Sequence, residues 1–451
     1  MPSRPATLAL ICLAALSLAA PARADDSQEK GFWERETLLG DAGGLRPALA
    51  AKGVTISLSL TGEAWRGLSG GQRRGTRTGG MGLASIAVDT EKAGLWGGGK
   101  LFVSGVATFG RFPGAELVGG IQSPSSNEAT RGALLYEAWY DQSFADKKVS
   151  LRLGQIRADT EFLTSTYGES EDWGGAGMLF ANASFGFPGI FGLALPGGGP
   201  AYPLATPGAR LKLAPDDAWR FQLGLFNGTP RRSAFGFSGG ALAMAEVQHL
   251  RNQGEDDKGL PGMYRLGTWF HNQRFASIAT DVAGRSLADP LSNGLPRRHA
   301  GNWGIYVMAD QLLFQTGEER TQSIGASARL MAAPGDRNAA DLQATFALTW
   351  KGAIPGRDDD TAGIGVTILR MGSAARALDR DSQAFTGTIT PLRGNETVLE
   401  ATYQIALAGW WQLQPSLQYI VRPGAGLADP NRPGRTLRDA WVFGLRSTIA
   451  F

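Results

Sequence analysis

The chain has 451 residues, with 44 Lys+Arg against 41 Asp+Glu; removing Arg4 and Arg23 leaves 42 against 41. That near neutrality excludes a nucleic-acid partner. Glycine, at 63 residues, is about twice its usual share. Mean hydropathy is slightly negative and no long apolar run follows residue 24. This excludes helical membrane spans, but not a barrel whose wet lumen face dilutes hydropathy.

Residues 1–24 have the pattern of a secretory signal: Arg4, an apolar stretch from Leu8 to Ala20, and the small-x-small site Ala22-Arg23-Ala24. The only cysteine, Cys12, lies inside it, with Ile11 where a lipoprotein signal needs a small residue. An exported chain without disulfides is then held by other means.

Residues 25–53 form a separate N-terminal periplasmic segment. Gly44 to Lys52 predict a short helix, with Leu45 and Leu49 on one face, Pro47 in the first turn and Gly53 as the stop. Alternation begins at Val54. Val54, Ile56, Leu58 and Leu60 point one way, toward lipid, while Thr55, Ser57, Ser59, Thr61, Glu63 and Trp65 point into a lumen. Gly67 to Gly82, rich in Gly and Arg, is expected to be a loop or turn.

Short alternating segments then recur: Leu134–Tyr140, Val149–Gln155, Ala209–Leu213, Trp219–Leu225, Tyr264–Phe270, Thr397–Leu407 and Trp411–Val421. Turn-forming residues separate them, with no repeat of fixed period. The fold expected over 54–451 is all-β: one transmembrane antiparallel barrel. At roughly 23 residues per strand and connection it has about 16 strands, an even number as bacterial barrels require. The last strand carries Trp441, Phe443, Leu445, Ile449 and Phe451 on one face and ends on that aromatic, as the closing strand of an outer-membrane barrel does.

Motifs for chemistry are weak. Gly94 to Lys100 matches a phosphate loop, but Leu101 stands where Ser or Thr must bind magnesium, and a strand follows instead of a helix. A hairpin turn fits better. Asp358-Asp359-Asp360 lacks calcium-loop spacing and predicts a solvated turn. The three histidines, His249, His271 and His299, show no metal spacing, and no G-x-S-x-G elbow is present. His271 alternates with Arg265 and Trp269, as a lumen-wall residue does. No cofactor and no metal are expected.

The polar lumen face is more informative. Glu63 and Trp65 share one strand; Glu137, Trp139 and Asp141 share another; Arg152 points inward ahead of Arg157, Asp159 and Glu161. Glu400, Thr402 and Gln404 line a later strand, and Gln412, Gln414 and Gln418 the next. Carboxylates, guanidinium groups and amides bind sugar hydroxyls, and indoles stack on sugar faces. Any porin lumen is also polar, so this face by itself does not establish sugar selectivity.

Several segments, in order, resemble the OprB-type carbohydrate-selective porins of Gram-negative outer membranes. They are Leu39 to Arg46, Gly154 to Phe162, Asn182 to Pro188, Tyr202 to Gly208, Lys351-Gly352 with Pro355 to Asp360, and Glu396 to Glu400 with Gln414-Pro415 and Gln418-Tyr419. Ala42 stands where the family usually has Trp, and Phe187 is a second departure. The resemblance implies a 16-stranded barrel for facilitated diffusion of glucose and similar sugars, with a charged constriction. The expected substrate-binding residues are Glu63, Trp65, Glu137, Trp139, Arg157, Asp159, Glu161, Glu400 and Gln404. The expected function is diffusion of monosaccharides, small oligosaccharides or polyols, without catalysis; a general porin and an outer-membrane hydrolase are the alternatives. Expected partners are sugars, outer-membrane lipid and lipopolysaccharide, and the barrel-assembly machinery through the last strand. The oligomeric state stays open between monomer and trimer.

Overall fold

The computed structural model describes residues 31–451, apart from 166–168, 171–176, 233–234, 238, 255–256, 317–321 and 433. The expected signal, residues 1–24, lies outside the described residues, as does residues 25–30 of the N-terminal segment.

Period-two patterning becomes sixteen antiparallel strands closed into one barrel. In chain order they are β1 Val54–Gly71, β2 Gly75–Asp89, β3 Gly99–Gly110, β4 Gly132–Phe144, β5 Val149–Ile156, β6 Thr206–Leu213, β7 Trp219–Asn227 and β8 Ala241–Arg251. Then come β9 Gly262–Asp281, β10 Pro296–Thr316, β11 Gln322–Ala332, β12 Ala340–Lys351, β13 Thr361–Met371, β14 Asn395–Ala408, β15 Trp411–Val421 and β16 Arg438–Ala450. Each strand pairs with its sequence neighbours, and β1 closes on β16 through Ser59↔Ala450 and Glu63↔Arg446. Closure leaves no barrel edge unpaired. With an even strand number, both termini lie at one end, called here the terminal end.

Cross-strand partners share a face, so the register assigns every side chain. The outer face carries exposed Ile56, Leu58 and Leu60 of β1, Leu223 and Leu225 of β7, and Trp441, Phe443 and Leu445 of β16, as the alternation predicts. Trp219, Tyr264 and Trp350 mark this face near the terminal end, and Phe270, Trp303 and Trp441 near the far end. These are two aromatic girdles.

The expected loop at Gly67–Gly82 is a correction. β1 runs to Gly71 and β2 starts at Gly75, leaving only residues 72–74 as the turn. The glycines belong to strand pairs: a Cβ at Gly80 would stand 2.3 Å from the Thr61 carbonyl oxygen and 2.6 Å from the Phe109 ring. Gly70 and Gly71, with φ +62° and +63°, lead β1 into the short turn, while Gly80 is there for close contact. The same device recurs in the lumen, where rings lie over glycines of the next strand. A Cβ at Gly444 would sit 2.4 Å from the Trp65 ring, at Gly304 2.4 Å from Trp269, and at Gly267 2.1 Å from Tyr306. High glycine content therefore comes with large buried rings on strands.

The N-terminal helix runs Leu45–Ala51, with Gly44 and Lys52 as its caps. Gly53 follows with φ +70°, a left-handed value natural to glycine. The Gly94–Lys100 motif spans the β2–β3 turn and the start of β3, and no helix follows it.

Strand heights differ. β5 and β6 have 8 residues each, β9 has 20 and β10 has 21. Beside the short strands, the described parts of the far-end connection 157–205 fold back into the barrel, and 111–131 does so too. Phe162, Leu163, Ile190 and Phe191 of the longer loop pack with inward residues Phe226, Leu242, Trp269, Tyr306 and Met331 of the wall. Thus the packed core of this molecule sits inside the barrel, and its outside is apolar and exposed.

Candidate functional site

The lumen face is held by charge. On the β4–β6 wall, Arg210 donates from Nε to Glu161 (2.7 Å) and from Nη2 to Asp141 (2.6 Å). Arg152 donates from Nε to Asp141 (2.9 Å) and from Nη1 to Glu161. Ser150 Oγ completes the ring by donating to Asp141 (2.8 Å). Two carboxylates and two guanidinium groups close on themselves, so their fields largely cancel while donors and acceptors remain. The Arg152 guanidinium also lies 3.6 Å from the Trp139 ring centre, and Trp139 stacks on Phe102 at 4.9 Å, so cation–π and stacking contacts fix its position.

The loop leaves β5 at Arg157 and turns at once into a 3-10 helix, Ala158–Thr160. Arg157 forks onto Asp159, 2.9 and 2.6 Å, and its guanidinium lies 4.7 Å from the Tyr136 ring centre. The Tyr202 amide donates to Asp159 (3.2 Å), tying both ends of the loop together. Glu137 is buried on the same wall.

At the β1–β16 seam, Glu63 accepts from Trp65 Nε1 (2.9 Å), Ser125 Oγ (2.6 Å), Asn127 Nδ2 (2.7 Å) and Arg446 Nε (2.7 Å). It thereby moors the 111–131 loop to the β1–β16 seam. Glu400 accepts from the amides of Ala181 (2.7 Å) and Asn182 (2.9 Å) and from Ser416 Oγ (2.9 Å), mooring the 157–205 loop. Glu396 does the same for the amides of Ile121 and Gln122. Gln404 donates to Gln412 (2.7 Å) on the half-open wall near the terminal end.

Every expected site residue therefore faces the lumen or lies on a loop within it. Glu137, Trp139, Arg157, Asp159 and Glu161 come together on or beside the β4–β6 wall. Glu63 and Trp65 lie apart from them at the seam, and Glu400 and Gln404 on β14. Trp65 faces inward as its parity predicts but is 1% exposed, because a folded-in loop covers it; a sugar reaches that ring only if the loop moves. Arg210 and Arg446 went unrecognised in the sequence. Alternation in Ala209–Leu213 and in the last strand marks both as inward, but their carboxylate partners lie 49 and 383 positions away.

Other sequence motifs find structural roles. His271 is a lumen-wall residue whose ring nitrogens meet the Gly228 carbonyl and the Gln273 amide. Asp358 and Asp359 are exposed, as a solvated turn predicts, but Asp360 is buried. It takes a fork from Arg357 (2.9 and 2.8 Å), the Ala406 amide (2.9 Å) and the Tyr403 hydroxyl (2.9 Å). Burial raises its pKa, but the hydrogen bonds outweigh burial and hold the carboxyl below its ordinary value. Among the described residues no group of three His, Cys, Asp or Glu could hold a metal ion, and no described helix is long and apolar enough to cross a membrane.

The family model described as the carbohydrate-selective porin, OprB family, matches residues 73–451. The chain belongs to that family. It is an outer-membrane channel for sugar diffusion and not an enzyme. Porin B of Pseudomonas aeruginosa is 25% identical over 450 residues, covering 94% of each chain. The fold matches the high-pH structure of Pseudomonas putida OprB with a TM-score of 0.81 at 21% identity, over 94% of this chain and 100% of that one. The low-pH structure of the same porin matches at 0.55 and 18% identity, over 93% and 99%. The hydrolase alternative falls with family membership.

Proposed function

We propose that this porin recognises sugars on the β4–β6 wall, with Glu137, Trp139, Arg157, Asp159 and Glu161 as the contact surface. Arg152, Asp141 and Arg210 extend it. Glu63, Trp65 and Glu400 serve the same passage indirectly, by holding the two folded-in loops that narrow the lumen, and Gln404 lines the wider approach from the terminal end. The supporting observation is that Arg152 and Arg210 pair with Asp141 and Glu161, and Arg157 pairs with Asp159. A paired wall exerts little net field on ions, yet it offers forked donors and acceptors to hydroxyl groups. Such a surface suits an uncharged polyhydroxyl solute, and weak binding speeds flux where tight binding would slow exit.

The terminal end faces the periplasm in this reading, the outer belt meets phospholipid and lipopolysaccharide, and the assembly machinery reads the last strand. Planar-bilayer conductance tests the sugar wall. Glucose should block ion current saturably, and maltose, gluconate and glycerol should rank its size and charge tolerance. In Asp159→Asn and Arg157→Gln channels the half-blocking concentration should rise. A charge-assisted hydrogen bond is worth about 1.5–3 kcal/mol in a dry site, and less in a wet pore, so a few-fold rise is expected. No block by glucose up to molar concentration would make this a general porin.

A further inference from the structure

Residues 31–44 leave the barrel wall and run along the outside of its terminal rim. Phe32–Glu34 form a 3-10 turn. Trp33 stacks on Trp410 at 5.8 Å and 22°, Trp410 stacks on Trp411 at 5.8 Å and 15°, and Trp33 lies 6.5 Å from Trp411 at 22°. Trp410, in the β14–β15 turn, donates from Nε1 to the Phe32 carbonyl (3.0 Å). Farther along, the Leu38 amide donates to the Ala450 carbonyl (2.8 Å), where β16 ends. Arg46, in the first turn of the helix, donates to the carbonyls of Ile56 (3.3 Å) and Phe451. The segment is thus fastened at the β14–β15 turn and at the end of β16, and the helix that follows it is fastened at Ile56 of β1 and at Phe451.

In the other direction it displays large apolar side chains, interleaved with the exposed carboxylates Glu34 and Glu36. Phe32 is 45% exposed, Trp33 60% and Leu39 51%, an unusual display for a segment held this firmly. The register says what lies beside it. Gln412 and Thr448 pair on the lumen face, so Trp411 and Ile449, one residue along each strand, pair on the lipid face. Leu407 and Ile56 are exposed on that same face. The stack therefore continues the barrel's apolar belt outward at the depth of the terminal aromatic girdle, where amphipathic rings favour the headgroup boundary.

We propose that residues 32–39 are an interfacial strap, with Phe32, Trp33 and Leu39 lying in the headgroup region of the phospholipid leaflet at the terminal end. The partner is lipid, and the strap extends the bilayer contact of the β14–β1 sector beyond the strands themselves. From sequence, residues 25–53 are expected in the periplasm ahead of the barrel; the strap seats part of that segment at the leaflet surface. It depends on the outer-membrane placement and is independent of the sugar wall.

Nitroxide labels at single cysteines test it in a Cys12→Ser background, since Cys12 is the only native cysteine. Trp33→Cys and Leu39→Cys would be labelled, and Leu39→Cys leaves the indole stack intact. Leu223→Cys on the outer face of β7 provides a lipid reference, and Asp217→Cys in the β6–β7 turn a water reference. The protein would be reconstituted in phosphatidylethanolamine–phosphatidylglycerol vesicles, and collision rates measured with oxygen and with a water-soluble nickel chelate. The strap labels should show raised oxygen and reduced chelate collisions relative to position 217, at a depth shallower than position 223. Collision rates equal to those at 217 would overturn the proposal by placing the strap in solution. Labels shielded from both reagents, with spin–spin broadening that vanishes on dilution with unlabelled protein, would overturn it in favour of a second copy.

Discussion

Asp360 illustrates what one residue does at a turn. Its carboxylate joins the β12–β13 turn to β14 through Arg357, Tyr403 and the Ala406 amide. Because its folded pKa is depressed, its contribution is complete above the ordinary aspartate value and is lost as pH falls through the lower folded value. Asp360→Asn should therefore lower the thermal unfolding midpoint at neutral pH and remove part of the acid sensitivity below about pH 4. Melting both proteins in detergent across the acid range checks this; parallel pH profiles would contradict it. Neighbouring Asp358 and Asp359 should be replaceable without effect, since both are exposed. In a run of three identical residues, sequence cannot say which one turns inward. The closing geometry of the turn decides it.

At the scale of elements, the folded-in loops matter most. The 157–205 loop is moored at Ala181 and Asn182 by Glu400, while Arg329 donates to the carbonyls of Ser184 (2.6 Å) and Gly186 (2.8 Å). Glu400→Gln replaces one accepting oxygen with an NH2 group facing a backbone donor. That costs about 1–3 kcal/mol for the buried donor left unpaired. The barrel should still form, because its ladder is untouched. The loop should loosen, so single-channel current should become noisier and larger, and glucose block weaker. Unchanged current noise and block would show that Glu400 does not hold the constriction. Glu400 was legible as an inward carboxylate from its alternation with Thr402 and Gln404. Its amide partners, more than 200 residues away, were not.

At the scale of the whole molecule, the barrel depends on a seam between residues remote in sequence. Phe451 is where that seam ends: its amide donates to the Leu58 carbonyl (2.8 Å), and its own carbonyl accepts from Arg46. Phe451→Asp puts a charge at the girdle, where lipid-facing charges cost roughly 0–1 kcal/mol, against 2–4 kcal/mol for Arg or Lys at mid-bilayer. Folded stability should thus change little, whereas outer-membrane levels should fall sharply if the assembly machinery reads the last aromatic. Comparing outer-membrane yield with the melting temperature of refolded protein separates the two effects. Normal yield would remove the assembly role.

The sequence by itself determined the barrel, because alternation is a local property and each strand carries its own record of which face is wet. It determined the even strand number near sixteen, the terminal strand, the N-terminal helix and the inward set from Glu63 to Gln404. It misjudged Gly67–Gly82, since glycines that accommodate a neighbouring carbonyl or ring look the same as glycines that turn the chain. Only the tertiary structure decided which inward charges meet. Glu63 with Arg446, and Glu161 with Arg210, are products of closure and of a loop folding back, and neither leaves a periodic trace. The same holds for Trp65: parity places the ring inside, but only the packing of the 111–131 loop and its neighbours covers it.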